Sequence, residues 1–105
     1  MKHDLQLTPA TLERCKDRIN TILESDFYRY TALHPLGKAL QKAIQAESTS
    51  IDLNPVATDW ALEQLRQLQN EDVFSNADLN PLRDALERNA YRVQGVLHEL
   101  GIQAA

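Results

Sequence analysis

Leu79-Asn80-Pro81-Leu82-Arg83-Asp84-Ala85-Leu86 carries the signal that decides the fold: a proline that follows a helix-capping residue and precedes leucines at helical spacing. Proline suits the first turn of an α-helix, because its missing N–H would be unpaired there and its fixed φ matches the helix. Asn and Thr are good N-cap residues, and a leucine just before the cap can pack on the first turn. Every proline in the chain has a similar setting. The other three are Leu7-Thr8-Pro9, Leu33-His34-Pro35 and Leu53-Asn54-Pro55.

Apolar residues recur at three- and four-residue spacing after each proline, which predicts four α-helices and little strand. We expect helices over residues 9–24, 35–47, 55–70 and 81–100, with residues 1–7 as a lead-in. The first helix could continue to about residue 33, because Phe27, Tyr30 and Leu33 fall near its apolar face. Ser25-Asp26 could instead end it and cap another helix, and we favour this alternative, with a second helical turn or two before Pro35. The predicted fold is all-α, a four-helix bundle in one domain of 105 residues.

The last predicted helix has the most regular apolar pattern. Its seam is spaced 4, 3, 4, 3, 4 along the chain, as in a coiled coil, and contains one polar residue, Asn89. The seam consists of Leu82, Leu86, Asn89, Val93, Val96 and Leu100.

The spacing of the prolines indicates an internal repeat. A shift of 46 residues places Pro9 on Pro55 and Pro35 on Pro81. Paired-helix repeats have periods in this range. The four helices could therefore be two related helical hairpins, although apolar helices also superimpose by chance.

The charge distribution favours a protein partner over nucleic acid. The net charge is −4, whereas phosphate binding needs a basic surface. Residues 1–50 contain seven Lys/Arg and six Asp/Glu, while residues 51–105 contain four and nine. The acidic half could attract a basic partner, or it could simply be a solvated surface. The second predicted helix has a modest basic face, which supports a weak nucleic-acid-binding regulator as one alternative. That face consists of Lys38, Gln41, Lys42 and Gln45.

The composition predicts a cytoplasmic protein. One cysteine, Cys15, cannot form an internal disulfide, which suits a reducing compartment. The start of the chain lacks the apolar run of a signal peptide, and no stretch approaches the roughly 18 apolar residues of a membrane span. We therefore expect no membrane partner.

No catalytic or metal-binding motif stands out, so we expect neither an enzyme nor a bound cofactor. His3, His34 and His98 are scattered, and the sequence has no CxxC or HExxH spacing. Cys15 falls on an apolar stripe with Leu12, which favours a small buried side chain over a nucleophile.

The segment Leu33-His34-Pro35-Leu36-Gly37-Lys38 resembles phosphotransfer domains, which are helical bundles with a phospho-accepting histidine followed by lysine and glycine. It departs from their pattern because Gly and Lys are in the reverse order and because Pro35 places His34 at a helix start. The resemblance implies an alternative function, a phosphorelay-type bundle that uses His34.

The back face of the last helix is the first candidate partner site. Tyr91 lies roughly opposite the seam, and Arg88, Gly95 and His98 share its face. Gly95 weakens a helix interior, which makes sense if another helix packs there. We predict that this face could mediate self-association, giving a homo-oligomer.

Trp60 and Val56 are the second candidate partner site. Trp60 lies about 100° from the centre of the apolar stripe of its helix and next to Val56. It could cap the edge of the core, or the two residues could be an apolar surface pair. We therefore predict a small helical protein–protein interaction module, such as an adaptor, chaperone, antitoxin, immunity-like inhibitor or regulator, with an unidentified protein partner.

Overall fold

A computed structural model describes residues 2–71 and 76–99, with side chains described as far as Asn89 in the last helix. It contains helices α1 (Pro9–Ser25), α2 (His34–Gln45), α3 (Pro55–Glu71) and α4 (Asn80–Glu99). Strands β1 (Lys2–Asp4) and β2 (Ser50–Asp52) form a small antiparallel sheet. The predicted all-α, four-helix architecture is confirmed, and the sheet is an addition to it.

Two of the four proposed caps act as predicted. The Thr8 side chain accepts a hydrogen bond from the Thr11 N–H at 3.2 Å, and Asn54 Oδ1 accepts one from the Ala57 N–H at 2.8 Å. His34 and Asn80 are instead the first residues of their helices. A 3₁₀ turn, at Thr31–Leu33 and at Ala77–Leu79, leads directly into each helix in the place where a capping residue was expected.

The end of α1 agrees with the favoured boundary, whereas the end of α2 corrects an expectation. α1 stops at Ser25 and does not continue to residue 33, and a separate 3₁₀ turn at Thr31–Leu33 comes before Pro35. α2 stops at Gln45, two residues before the expected end. There Glu47 has a φ of 53°, and the Ser48 N–H bonds the Ala43 carbonyl at 2.9 Å, closing the helix in a Schellman motif.

The lead-in forms a strand, which the sequence did not predict. β1 pairs antiparallel with β2 in the register Lys2↔Asp52, His3↔Ile51 and Asp4↔Ser50. The Leu5 N–H continues the same register by donating to the Thr49 carbonyl at 3.0 Å. The sheet thus ties the start of the chain to the middle.

The two halves of the molecule repeat the same elements 46 residues apart. α1 and α3 begin and end at equivalent positions, as do the two 3₁₀ turns and the starts of α2 and α4. Asp4 and Ser50 are also 46 residues apart, and they pair with each other in the sheet. A local two-fold axis through this pair would exchange β1 with β2, as expected for a duplicated unit. Within the described residues, eleven buried positions match across the halves. They are Leu5/Ile51, Leu12/Thr58, Cys15/Ala61, Ile19/Leu65, Ile22/Leu68, Leu23/Gln69, Tyr30/Asn76, Leu33/Leu79, Leu36/Leu82, Ala39/Ala85 and Leu40/Leu86.

The halves are interlocked and do not form two separate hairpins. α1 contacts the 3₁₀ turn of the second half, and α3 contacts that of the first. Likewise, α2 packs on β2 and α4 packs on β1. One continuous core therefore joins both halves.

Asn89 connects α4 to the residues of β1. Its Nδ2 donates to the Ala85 carbonyl at 2.8 Å and to the Asp4 carbonyl at 3.2 Å. Leu82 and Leu86 of the predicted seam are fully buried. The seam therefore packs against the molecule's own core and β1 as far as Asn89, whereas Val93, Val96 and Leu100 lie outside the described side chains.

His3 is a buried histidine, 1% exposed, on β1. Its Nε2 lies 3.3 Å from the Leu53 carbonyl and 3.1 Å from Thr58 Oγ1. The Thr58 hydroxyl donates to the Asn54 carbonyl, so it accepts from His3, which assigns the proton to Nε2. Nδ1 is buried and has no hydrogen-bond partner within the described chain. Burial lowers the pKa of His3, and the bond to Leu53 only partly opposes this effect.

Acidification should therefore destabilise the fold through His3. Its folded pKa lies below the ordinary value of 6.5, so the unfolded chain binds the proton more tightly. The stabilising contribution is complete above pH 6.5 and is lost as the pH falls towards the folded pKa. Urea unfolding at pH 7 and at pH 5 should show a smaller pH-dependent loss of stability in His3→Gln than in wild type. An equal loss in both proteins would show that His3 is not the responsible group.

Candidate docking face on helix α3

Val56 and Trp60 lie together on the solvent side of α3. Trp60 is 62% exposed and Val56 is 57% exposed. Because a helix advances about 100° per residue, Trp60 lies about 140° from buried Leu65 and about 40° from Val56. Trp60 therefore does not cap the edge of the core. We call Val56, Asp59, Trp60, Glu63 and Gln67, all of which are exposed, the α3 outer face.

The equivalent face of α1 shows that the fold does not need these apolar side chains. Ala10 occupies the position of Val56, and Arg14 occupies that of Trp60; both are exposed. The two helices have the same length and share five equivalent buried positions, yet only α3 has a tryptophan and a valine among its exposed residues. Packing within the molecule therefore does not explain Val56 and Trp60.

The α3 outer face is also acidic. Asp59 and Glu63 are four residues apart and flank Trp60 on one side. Neither carboxylate has a hydrogen-bond or ion-pair partner in the part of the chain that the structure describes. Arg66, the cation on the same helix, is already bound to Glu87, with Nη2 3.1 Å and Nε 3.2 Å from Oε1.

The other predicted partner face, on α4, is only partly described. Arg88 is exposed, as expected for a residue opposite the seam, and Asp84 beside it is exposed as well. Tyr91, Gly95 and His98 lie beyond the residues whose side chains are described, although the helix α4 continues to Glu99. Self-association through this face stays a prediction.

Exposed aromatics at the turn between α1 and α2 were not predicted. Phe27 is 44% exposed and Tyr28 is 90% exposed. Phe27 meets Tyr28 edge-on at 6.1 Å and His34 at 5.4 Å between ring centroids. The alternative of a longer α1 would have placed Phe27 on its apolar face, but α1 ends at Ser25 and Phe27 is exposed. The corresponding Val73 and Phe74 lie outside the described residues.

The residues singled out for chemistry are positioned as follows. His34 is half-buried in the first turn of α2, with its ring against Phe27. Cys15 is fully buried, as predicted, and burial raises the pKa of its thiol to about 11. Within residues 2–71 and 76–99, no group of three or more His, Cys, Asp or Glu side chains is arranged to hold a metal ion.

The basic face predicted on the second helix is present in the structure. Its four residues are all exposed on α2. Beside it, a shallow depression of about 360 Å³ lies between α2 and β2. Lys2 and Lys42 line it together with Asp52, so its charge is mixed.

Comparisons of the chain with protein-family models, with curated proteins and with solved structures found no match. In the described residues, none of the helices has both the length and the hydrophobicity needed to cross a bilayer.

Proposed function

We propose that this chain is a protein–protein interaction module that binds its partner through the α3 outer face. The observation that carries the proposal is the exposed pair Val56 and Trp60 at positions where α1 has Ala10 and Arg14. Tryptophan is the residue type most enriched at binding hot spots, where it supplies a large apolar area when a partner excludes water. An apolar pair surrounded by polar groups on an otherwise polar helix face is typical of such sites.

The repeat supplies the variant that tests this proposal. The double variant Val56→Ala/Trp60→Arg gives α3 the residues that α1 already carries at the same fold positions, so the fold tolerates them. Tagged wild type and this variant should be used to capture proteins from the native host, with quantitative mass spectrometry. A partner should be enriched by wild type and lost with the variant.

Arg14→Ala on α1 is the matched control, and it should retain the partner. An identical set of captured proteins for wild type and Val56→Ala/Trp60→Arg would refute docking through α3.

A further inference from the structure

α1 and α3 carry acidic residues at the same two positions, but the two helices differ in whether a cation neutralises them. Asp59 and Glu63 on α3 correspond to Glu13 and Asp17 on α1. On α1, Lys16 lies between them, with Nζ 3.8 Å from Glu13 Oε1 and 3.6 Å from Asp17 Oδ1. On α3 the position of Lys16 is occupied by a buried leucine.

Within the described residues, Asp59 and Glu63 are therefore left without a cation beside the exposed tryptophan. Like charges four residues apart on a helix destabilise it. On α1 the lysine offsets this repulsion, whereas Asp59 and Glu63 keep it. Covering Trp60 with a partner would also remove water from both carboxylates, which is unfavourable unless the partner brings positive charge.

A second copy of the chain that docked through the same face would not meet this requirement. Its α3 outer face would bring another Asp59 and Glu63, and its Arg66 is bound to Glu87. The basic face of α2 carries two lysines but no apolar side chain that could cover Trp60, so we expect the neutralising cations to come from a different protein. Val56 and Trp60, one turn apart, form a ridge of the kind that packs into the groove between side-chain rows of another helix.

We propose that the α3 outer face binds a basic amphipathic helix of another protein, with apolar side chains of that helix on Val56 and Trp60 and its Lys or Arg residues on Asp59 and Glu63. The proposal rests on the proposed function and specifies the chemistry of the partner. Helix docking through an apolar stripe with complementary charges at its rim is a common recognition mode.

Model peptides can test the proposal without the natural partner. One probe is an amphipathic Leu/Lys peptide of about 18 residues, long enough to form a helix on binding, and the other is its Leu/Glu counterpart. Trp60 is the sole tryptophan of the chain, so its fluorescence reports on this face alone. The Leu/Lys peptide should shift the Trp60 emission to shorter wavelength and saturate, whereas the Leu/Glu peptide should leave it unchanged.

Two charge variants distinguish a local effect of the α3 carboxylates on peptide binding from an effect of the net charge of the protein. Asp59→Asn/Glu63→Gln should weaken Leu/Lys binding by roughly fivefold to tenfold, the effect of losing two rim ion pairs. Glu13→Gln/Asp17→Asn removes the same charge from α1 and should change it less than about twofold. Equal weakening by both variants, or equal binding of both peptides, would overturn the proposal.

Three further outcomes would also overturn it. Sedimentation that shows a wild-type dimer, dissociated by Trp60→Arg, would make a second copy the occupant. If host capture depends on Trp60 but is unaffected by Asp59→Asn/Glu63→Gln, docking through α3 stands and the basic helix is wrong. If capture depends on neither, the proposed function itself fails.

Discussion

Unfolding of Leu65→Ala and of Leu86→Ala should each require about 2–5 kcal/mol less free energy than unfolding of the wild-type chain, the usual range for a buried leucine. Both side chains are fully buried, and each leaves a cavity that rigid neighbours fill only in part. Their equivalents in the first half, Ile19 and Leu40, are also fully buried, so these positions lie in one core shared by both halves.

Urea denaturation followed by circular dichroism measures this loss, and a single transition should persist because the core is continuous. Gln41→Ala, at an exposed position of α2, is the control and should stay within about 0.5 kcal/mol of wild type. If the leucine variants shifted no more than this control, the assignment of Leu65 and Leu86 to the core would be wrong.

Trp60→Arg should separate binding from folding. Its unfolding free energy should stay within about 0.5 kcal/mol of wild type, because Trp60 is exposed and α1 accommodates Arg14 at the same position. Binding of the Leu/Lys peptide should weaken by about 30-fold or more, the effect expected for a tryptophan hot spot. Fluorescence anisotropy of a labelled peptide measures this affinity in variants that lack the tryptophan. The control variant Arg14→Ala should bind the peptide like wild type. A variant that binds normally would remove Trp60 from the site.

The helices could be predicted from the sequence because their signals are local. A proline, a capping oxygen and leucines at helical spacing all lie within one or two turns, and α1 and α3 begin where these signals place them. The starts of α2 and α4 were each misplaced by one residue. A 3₁₀ turn is too short to leave an apolar period, so His34 and Asn80 looked like caps.

The sheet could not be predicted because its partners are far apart in the chain. β1 and β2 have three residues each, and each contributes one buried side chain, His3 or Ile51. That is too little alternation to recognise as a strand. The burial of His3 follows from the sheet, which brings the Leu53 carbonyl and the Thr58 hydroxyl within hydrogen-bond distance of its Nε2. No residue close to His3 in the sequence indicates this burial.

The candidate site was predicted in part. Helical geometry placed Trp60 and Val56 side by side, away from the apolar stripe. The sequence alone could not exclude the alternative that Trp60 covers the edge of the core. The structure removes that alternative through the exposure of Trp60. The shift of 46 residues already aligns Arg14 with Trp60, but the exposure of both positions and the pairing of Lys16 with the acidic residues of α1 required the structure.

Photo-cross-linking in the native host tests the α3 outer face most directly. A benzoylphenylalanine placed at Val56, and in a separate variant at the equivalent Ala10, reports on which helix a partner touches. We expect a discrete cross-linked adduct from position 56 and none from position 10, and we expect the addition of Trp60→Arg to abolish the adduct. The same adduct from both positions, or none from either, would contradict docking through α3.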